Sequence, residues 1–231
     1  MPRRIAALLA VLPFAAPAAR AQDLATVCRR IMHPPVGAWS EFGIQGGRAQ
    51  GTTMRMSVVG RETLHDTTFL WLEVAARGMP MGLGGPAADT LVVINKVLVP
   101  GFGPGMAEPR EHVLKFGSLP AMTMETGRRG PGAASGPTMQ DCGNGKVVGW
   151  ESVTVPAGTF RALHVQDAEG SGDSWVVPDL PFGVVKAAAA DSGYMVLTSH
   201  GMGATSRITE TPRPYDPKLL MQLLMQGGQR P

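Results

Sequence analysis

Five histidines are the residues of this chain best suited to acid–base or metal chemistry. None belongs to an H-x-H or H-E-x-x-H pattern, and no C-x-x-C occurs, so common metal-ligand spacings are absent. His164 follows Phe160 and Ala162 on a predicted strand, which favours a hydrogen-bonded sheet residue over a general base. We therefore expect no metal and no cofactor. The histidines are His33, His65, His112, His164 and His200.

Other catalytic patterns are also missing. The chain has no G-x-S-x-G elbow, and "GFGPG" at Gly101–Gly105 fits neither phosphate-binding spacing, so we interpret it as a turn. Glu73 and Glu151 could pair in space, but two scattered carboxylates are ordinary on a sheet. The residues leave an enzyme possible and favour a non-catalytic protein. A hydrolase assembled from distant strands is the third hypothesis.

The methionine content is the unusual feature of the composition: the chain has 14 methionines. Core filling explains the strand methionines best, because an unbranched, polarisable side chain fits irregular gaps. It explains less well Met79 and Met81 in a Gly/Pro-rich stretch, and Met221 and Met225 near the C-terminus. Exposed apolar groups in such segments more often mark a contact surface.

The N-terminus has the three parts of a secretory signal. Arg3 and Arg4 precede a short apolar run that ends at an A-x-A site, which predicts a signal peptide at 1–21 cleaved after Ala21. The run is too short to span a membrane as a helix. Cleavage would reduce the net charge from +3 to zero. We expect a periplasmic or secreted protein that neither binds nucleic acid nor spans the membrane.

Two cysteines in an exported chain indicate one disulfide, between Cys28 and Cys142. In the chain-entropy model, closing so long a loop contributes on the order of 4–5 kcal/mol to stability. The alternative is two buried free thiols. A catalytic thiol is disfavoured, because neither cysteine has a basic cluster beside it.

The remaining chain, 22–231, has the pattern of a single β-rich domain. A short helix is predicted at 23–32, where Asp23 caps and Pro34 stops it, and another at 216–226. Gly/Pro-rich loops are predicted at 78–89 and 127–145. Alternating segments predict strands: "TTMRMSVV", "TFLWLEVAA", "LVVINKVLVP", a hairpin turning at "VPAG", "DSWVV", "VVKAAAAD", "GYMVLTSH" and "TSRITETP".

These patterns predict a mostly β fold: a single curved antiparallel sheet, a half-barrel of about 10–11 strands, with the two short helices. A sheet of that size must close, split or wrap something. Strands that are apolar on both faces favour wrapping around a helix or a cavity.

The stretches "GWESVTVPAGTFRALHV" and "SWVVPDLPFGVVKA" resemble exported bacterial half-barrels of the lipoprotein-localisation-factor type, and related periplasmic domains of unknown function. The resemblance covers residues 146–211 well and the earlier strands only in their order. Better-known members of that group hold acyl chains inside an open curved sheet. The resemblance implies that Trp150, Phe160, Trp175 and Phe182 stand on or near the walls of such a sheet.

We therefore expect a non-catalytic exported protein that binds an apolar ligand, a lipid or a lipoprotein acyl chain, in its curved sheet. An alternative is a structural or assembly module that binds another envelope protein through the Met-rich loop and tail. The candidate ligand-binding residues are Trp71, Trp150, Phe160, Trp175 and Phe182.

Overall fold

A computed structural model describes residues 24–78 except 25, 29, 32 and 48, and then 91–100, 109–124, 145–189 except 168, 169 and 171, 193–218 and 221. The predicted signal peptide, almost all of the two predicted Gly/Pro loops, most of the C-terminal tail and Cys142 lie outside these residues. The expectations about them stay predictions.

Within the described residues, twelve strands form one sheet. Their bounds are β1 Trp39–Gln45, β2 Thr53–Leu64, β3 Thr67–Arg77, β4 Val92–Val99, β5 Glu111–Phe116, β6 Met122–Met124, β7 Lys146–Val155, β8 Gly158–Gln166, β9 Gly172–Val176, β10 Val184–Ala189, β11 Gly193–Gly201 and β12 Arg213–Pro214.

The sheet consists of two meanders joined side by side. Its order is β12-β6-β5-β4-β3-β2-β1-β11-β10-β9-β8-β7, so the first strand pairs with the eleventh in the middle. Gly193 makes this junction possible: its φ is +81°, and a Cβ there would lie 2.4 Å from the Gln45 carbonyl oxygen. Neighbouring strands pair antiparallel except β12, which runs parallel to β6. The sheet is open and curved rather than a closed barrel, which confirms the predicted fold class.

Local sequence patterns place the strands as predicted over much of the chain. In β2, Met54 and Met56 pack on the apolar side, whereas Arg55 and Ser57 line a polar cavity on the other. The "VPAG" turn joins β7 to β8, and its tip folds against the sheet centre, where the Ala157 amide donates to the Leu197 carbonyl at 3.2 Å.

One predicted strand is wrong. Residues 205–212, "TSRITETP", form no strand, although their pattern alternates. They belong to residues 202–212, here called the strap, which crosses one face of the sheet from the end of β11 to β6. The Arg207 amide donates to both carboxylate oxygens of Glu73, at 3.1 Å each, instead of to a neighbouring strand. Only the two residues of β12 pair with the sheet beyond it.

The N-terminal segment supplies helical residues at 24, 26–28, 30 and 31, inside the predicted helix. Leu24, Val27 and Cys28 are buried against Leu163 and Val176 of the sheet. No cysteine among the described residues is free. Because Cys142 is not described, its pairing with Cys28 stays a prediction.

Candidate functional site

The face of the sheet that carries the β2 methionines has a run of apolar side chains that are only partly buried. Met54 and Met56 of β2 lie in register with Val74 of β3 and Val93 of β4, and Val97 continues the same face. These five residues are here called the apolar strip. Valine and methionine are among the residue types most often fully buried in proteins. A partly open strip over three adjacent inner strands therefore offers apolar surface to a ligand.

Three buried clusters surround the apolar strip. Met54 and Met56 pack against the cluster of Phe42 and Leu197 near the junction of the two meanders. Val74 and Val97 pack against the cluster of Val58, Leu70, Leu72 and Phe182. Val93 packs against a cluster on β5 and β6 that consists of Leu114, Phe116, Met122 and Met124. The strip is thus continuous with the main apolar core of the first meander.

Phe182 reaches this face from the connection between β9 and β10. Its side chain is buried on Val58, Leu70 and Leu72, although its φ of +60° is a left-handed conformation that a bulky residue rarely adopts. The connection is anchored by Ser40, whose hydroxyl donates to the Pro181 carbonyl at 2.7 Å. The fold therefore accepts local backbone strain to hold an aromatic ring beside the apolar strip.

Two polar atoms are buried on this apolar face without a hydrogen-bond partner. They are Oδ1 of Asn95 on β4 and Nε2 of His112 on β5. The register puts His112 opposite Val97 and Met124, and Asn95 opposite Val74 and Leu114. The His112 side chain is 7% exposed, and burial lowers the pKa of its imidazole below the ordinary 6.5.

The opposite face is covered by the strap. Ile208 packs on Ala75, Ile94 and Val113, and the Ser206 hydroxyl donates to the Glu73 carboxylate at 2.8 Å. Glu73 itself is 2% exposed. The strap's bonds to Glu73 and its buried isoleucine together fix it across three strands, β3, β4 and β5.

The far end of the strap is held by an ion pair between Glu210 and Lys115. The Lys115 ammonium, hydrogen-bonded to the carboxylate, lowers the pKa of Glu210 to about 2, and the Ala121 amide adds a bond at 3.3 Å. The pair therefore stays charged at all but strongly acidic pH.

A polar cavity of about 230 Å³ lies between the strap and the sheet. Arg55 and Glu73 contribute from the strands, and Arg207 from the strap. The Arg55 guanidinium stacks 3.9 Å from the Trp39 ring and lies 3.9 Å from Glu41. Of the charged groups that line the cavity, Arg55 contacts Trp39 and Glu41, and Glu73 is hydrogen-bonded to the strap.

His164 lies in a cluster of polar and aromatic side chains on β7–β10. Its Nε2 is 2.8 Å from Asp173 Oδ1 and its Nδ1 is 3.4 Å from Glu151 Oε1. The ring stacks on Trp175 at 4.5 Å, and Trp175 Nε1 donates to Glu151. The Lys186 ammonium lies 4.7 Å from the Trp175 ring and 4.5 Å from the Tyr194 ring.

This arrangement fits the predicted hydrogen-bonded sheet residue. A general base that activates a nucleophile needs one ring nitrogen directed at that nucleophile. In His164 both ring nitrogens face carboxylates. Glu73 and Glu151, which could have paired, lie on β3 and β7, with six other strands between them in the sheet order. Among the described residues, no group of His, Cys, Asp and Glu is arranged to hold a metal ion.

The five predicted ligand-binding residues occupy separate places. Phe182 borders the apolar strip, and Phe160 packs with the neighbouring cluster of Phe42, edge-on to His200 at 6.2 Å. Trp175 belongs to the His164 cluster. Trp150 is 38% exposed, and the Arg161 guanidinium lies 5.9 Å from its ring.

Trp71 lies on the strap's side of β3, next but one to Glu73. It donates to Glu62 at 2.7 Å, and Lys96 lies 4.7 Å from its ring. The structure therefore does not gather the five aromatic residues into one wall, and their binding roles stay predictions.

Sequence reasoning did not find the Asn95–His112 pair or the partners of His164. Both depend on the register between consecutive strands, which bulges such as the one between Val147 and Gly149 shift. The available signal was alternation: Asn95 is the polar exception on the side of β4 that carries Val93 and Val97.

Comparison with known proteins gives a limited result. No family model matches the chain, and no curated protein matches it. A solved chain from Parabacteroides distasonis, described as a candidate lipoprotein, is 14% identical, with a TM-score of 0.36; the match covers 74% of this chain and 98% of that one. A candidate exported protein with a YmcC-like fold, from Bacteroides fragilis, is 11% identical, with a TM-score of 0.33 and the same coverages.

These matches establish no family for this protein. The resemblance to lipoprotein-localisation factors therefore stays an interpretation of the sequence. Within the part of the chain that is described, no helix has the length and apolar character needed to cross a membrane.

Proposed function

We propose that this protein is a non-catalytic binding protein of the cell envelope that holds an apolar ligand, a lipid or lipoprotein acyl chain, on the apolar strip. The predicted signal peptide supports export, and the absence of net charge after its removal supports a ligand recognised by burial rather than by charge.

The observation that carries the proposal is the incomplete burial of the apolar strip. Its members lie on β2, β3 and β4, well inside the twelve-strand order, yet each remains partly exposed. Two of the five are methionines, whose flexible side chains adapt to acyl chains of varied shape. A ligand covering the strip would gain roughly 25 cal/mol for each Å² of apolar surface removed from water.

Binding of N-phenyl-1-naphthylamine, an uncharged dye that fluoresces in apolar surroundings, tests the proposal. The purified exported protein should give saturable fluorescence, and uncharged methyl esters of long-chain fatty acids should displace the dye. Met56→Lys replaces the methionine with a side chain of similar length that carries a charged ammonium group. A ligand that covers the strip would have to remove water from that charge. We expect that variant to bind the dye at least about tenfold more weakly.

Thr53→Lys is the matched control, because Thr53 lies on the same strand, is exposed and faces away from the strip. It should bind the dye as the unchanged protein does. Equal weakening by both lysines, or no saturable binding by the unchanged protein, would refute the proposal.

A second candidate function is binding of another envelope protein through the methionine-rich tail. Met221 is 56% exposed, which favours a contact surface there. Under this alternative, deletion of 216–231 changes the oligomeric state measured by light scattering. Under the main proposal, the dye binds at the strip without any change in oligomeric state.

A further inference from the structure

We propose that Asn95 and His112 form a polar anchor at the apolar strip for the hydroxyl group of an uncharged amphiphile. The inference rests on the proposed function and specifies the chemistry of its ligand. It assigns a role to two buried side-chain atoms that the fold leaves without a hydrogen-bond partner.

The two unpartnered atoms of Asn95 and His112 are costly to the stability of the fold. A buried polar atom with no hydrogen-bond partner destabilises a fold, and such atoms are few in native proteins. Here two of them, Asn95 Oδ1 and His112 Nε2, occur on adjacent strands and on the same face. Their cross-strand neighbours include Val74, Val97 and Met124, none of which offers a hydrogen bond of ordinary strength.

The two residues also lie next to the strip. Asn95 stands between Val93 and Val97 along β4, and it is in register with Val74. His112 is in register with Val97. Diagonal neighbours on one face of a sheet lie within reach of a single group placed between them. A ligand that inserts between the side chains of the strip would therefore meet both polar atoms.

One chemical group can satisfy both atoms. An amide oxygen only accepts hydrogen bonds, whereas Nε2 of a neutral imidazole can carry the proton and donate. One hydroxyl can donate to Asn95 Oδ1 and accept from His112 Nε2. A charged head group would have to be desolvated among apolar side chains, which disfavours phosphates and carboxylates.

The experiment compares two probes, 1-dodecanol and its methyl ether, as competitors of N-phenyl-1-naphthylamine. The ether keeps the chain and the oxygen but cannot donate to Asn95. We expect the unchanged protein to bind the alcohol about tenfold more tightly than the ether. Asn95→Leu should abolish that preference and bind the ether as tightly as, or more tightly than, the unchanged protein.

His112→Phe should weaken alcohol binding, and His33→Phe, at an exposed position outside the sheet, should change nothing. A merely structural role for Asn95 would not alter the ratio of the two affinities. Equal binding of both probes by the unchanged protein overturns the anchor without any variant and leaves the proposed function standing. Persistence of the preference in Asn95→Leu also overturns it. Failure of both probes to displace the dye overturns the anchor and the proposed function together.

Discussion

At the scale of single residues, His112 gives the apolar face a titratable side chain that can form hydrogen bonds. The imidazole is buried beside valine and methionine, and no described charge opposes it in register. Desolvation penalises the protonated form, which is why the pKa lies below 6.5. The residue is therefore neutral at neutral pH and available as a hydrogen-bonding group.

This lowered pKa predicts a pH dependence of stability. Well above pH 6.5 the His112 side chain is neutral in both the folded and the unfolded chain, so it does not make the free energy of unfolding depend on pH. Below that, the unfolded chain binds a proton that the folded chain resists, and the free energy of unfolding falls as pH falls. Urea unfolding between pH 7.5 and 5 should show a shallower decline in His112→Phe. His33→Phe should match the unchanged protein; a decline unaltered in His112→Phe would contradict the assignment.

At Phe182, the favourable packing of the ring outweighs the cost of a left-handed backbone conformation. Phe182→Ala should reduce the free energy of unfolding by about 3–5 kcal/mol, because a buried ring is lost. At a φ of +60°, glycine avoids the strain that alanine retains. Phe182→Gly should therefore be more stable than Phe182→Ala by roughly 1 kcal/mol. Chemical denaturation measures both, and the reverse order would show that the residue is not held in a left-handed conformation.

At the scale of elements, the strap is the part that sequence patterns misrepresent. Its residues alternate as a strand would, but Glu73 on β3 takes the amide that a neighbouring strand would have used. Replacing Glu73 leaves the Arg207 amide without its acceptor and leaves the Ser206 hydroxyl bonded only to the backbone of Ile208.

Glu73→Ala should therefore lower the free energy of unfolding by about 2–4 kcal/mol. It should also speed proteolysis within 202–212, since the strap loses its central attachment. Glu62→Ala, which removes an exposed carboxylate bound to Trp71, should change stability by less than about 1 kcal/mol. Similar losses in the two variants, or cleavage elsewhere first, would argue against this role for Glu73.

The limits of sequence reasoning are also clearest at this scale. Alternation located β2, β3 and β4, and proline and glycine located the β7–β8 turn, because these signals are local. The pairing of β1 with β11 is set by a close approach at Gly193, far along the chain from β1. No local pattern reports such an approach. His112 and His164 looked isolated in sequence because strand register sets their neighbours: Asn95 lies on the strand beside His112, and two carboxylates lie on the strands beside His164.

At the scale of the whole molecule, the two faces of the sheet differ in what covers them. The strap, its ion pair and a polar cavity occupy the Glu73 face, where Glu73 and Glu210 are bonded to other groups of the chain. The other face keeps a partly open apolar strip and two unsatisfied polar atoms. We infer that the first face serves folding and the second serves binding.

Native mass spectrometry of the protein isolated from the envelope of an expressing host tests that division most directly. The account predicts a bound molecule that organic solvent extracts, that Met56→Lys loses and that Thr53→Lys retains. Protein that remains free of any extractable molecule, and that still takes up none when mixed with long-chain alcohols or fatty acids, would contradict it.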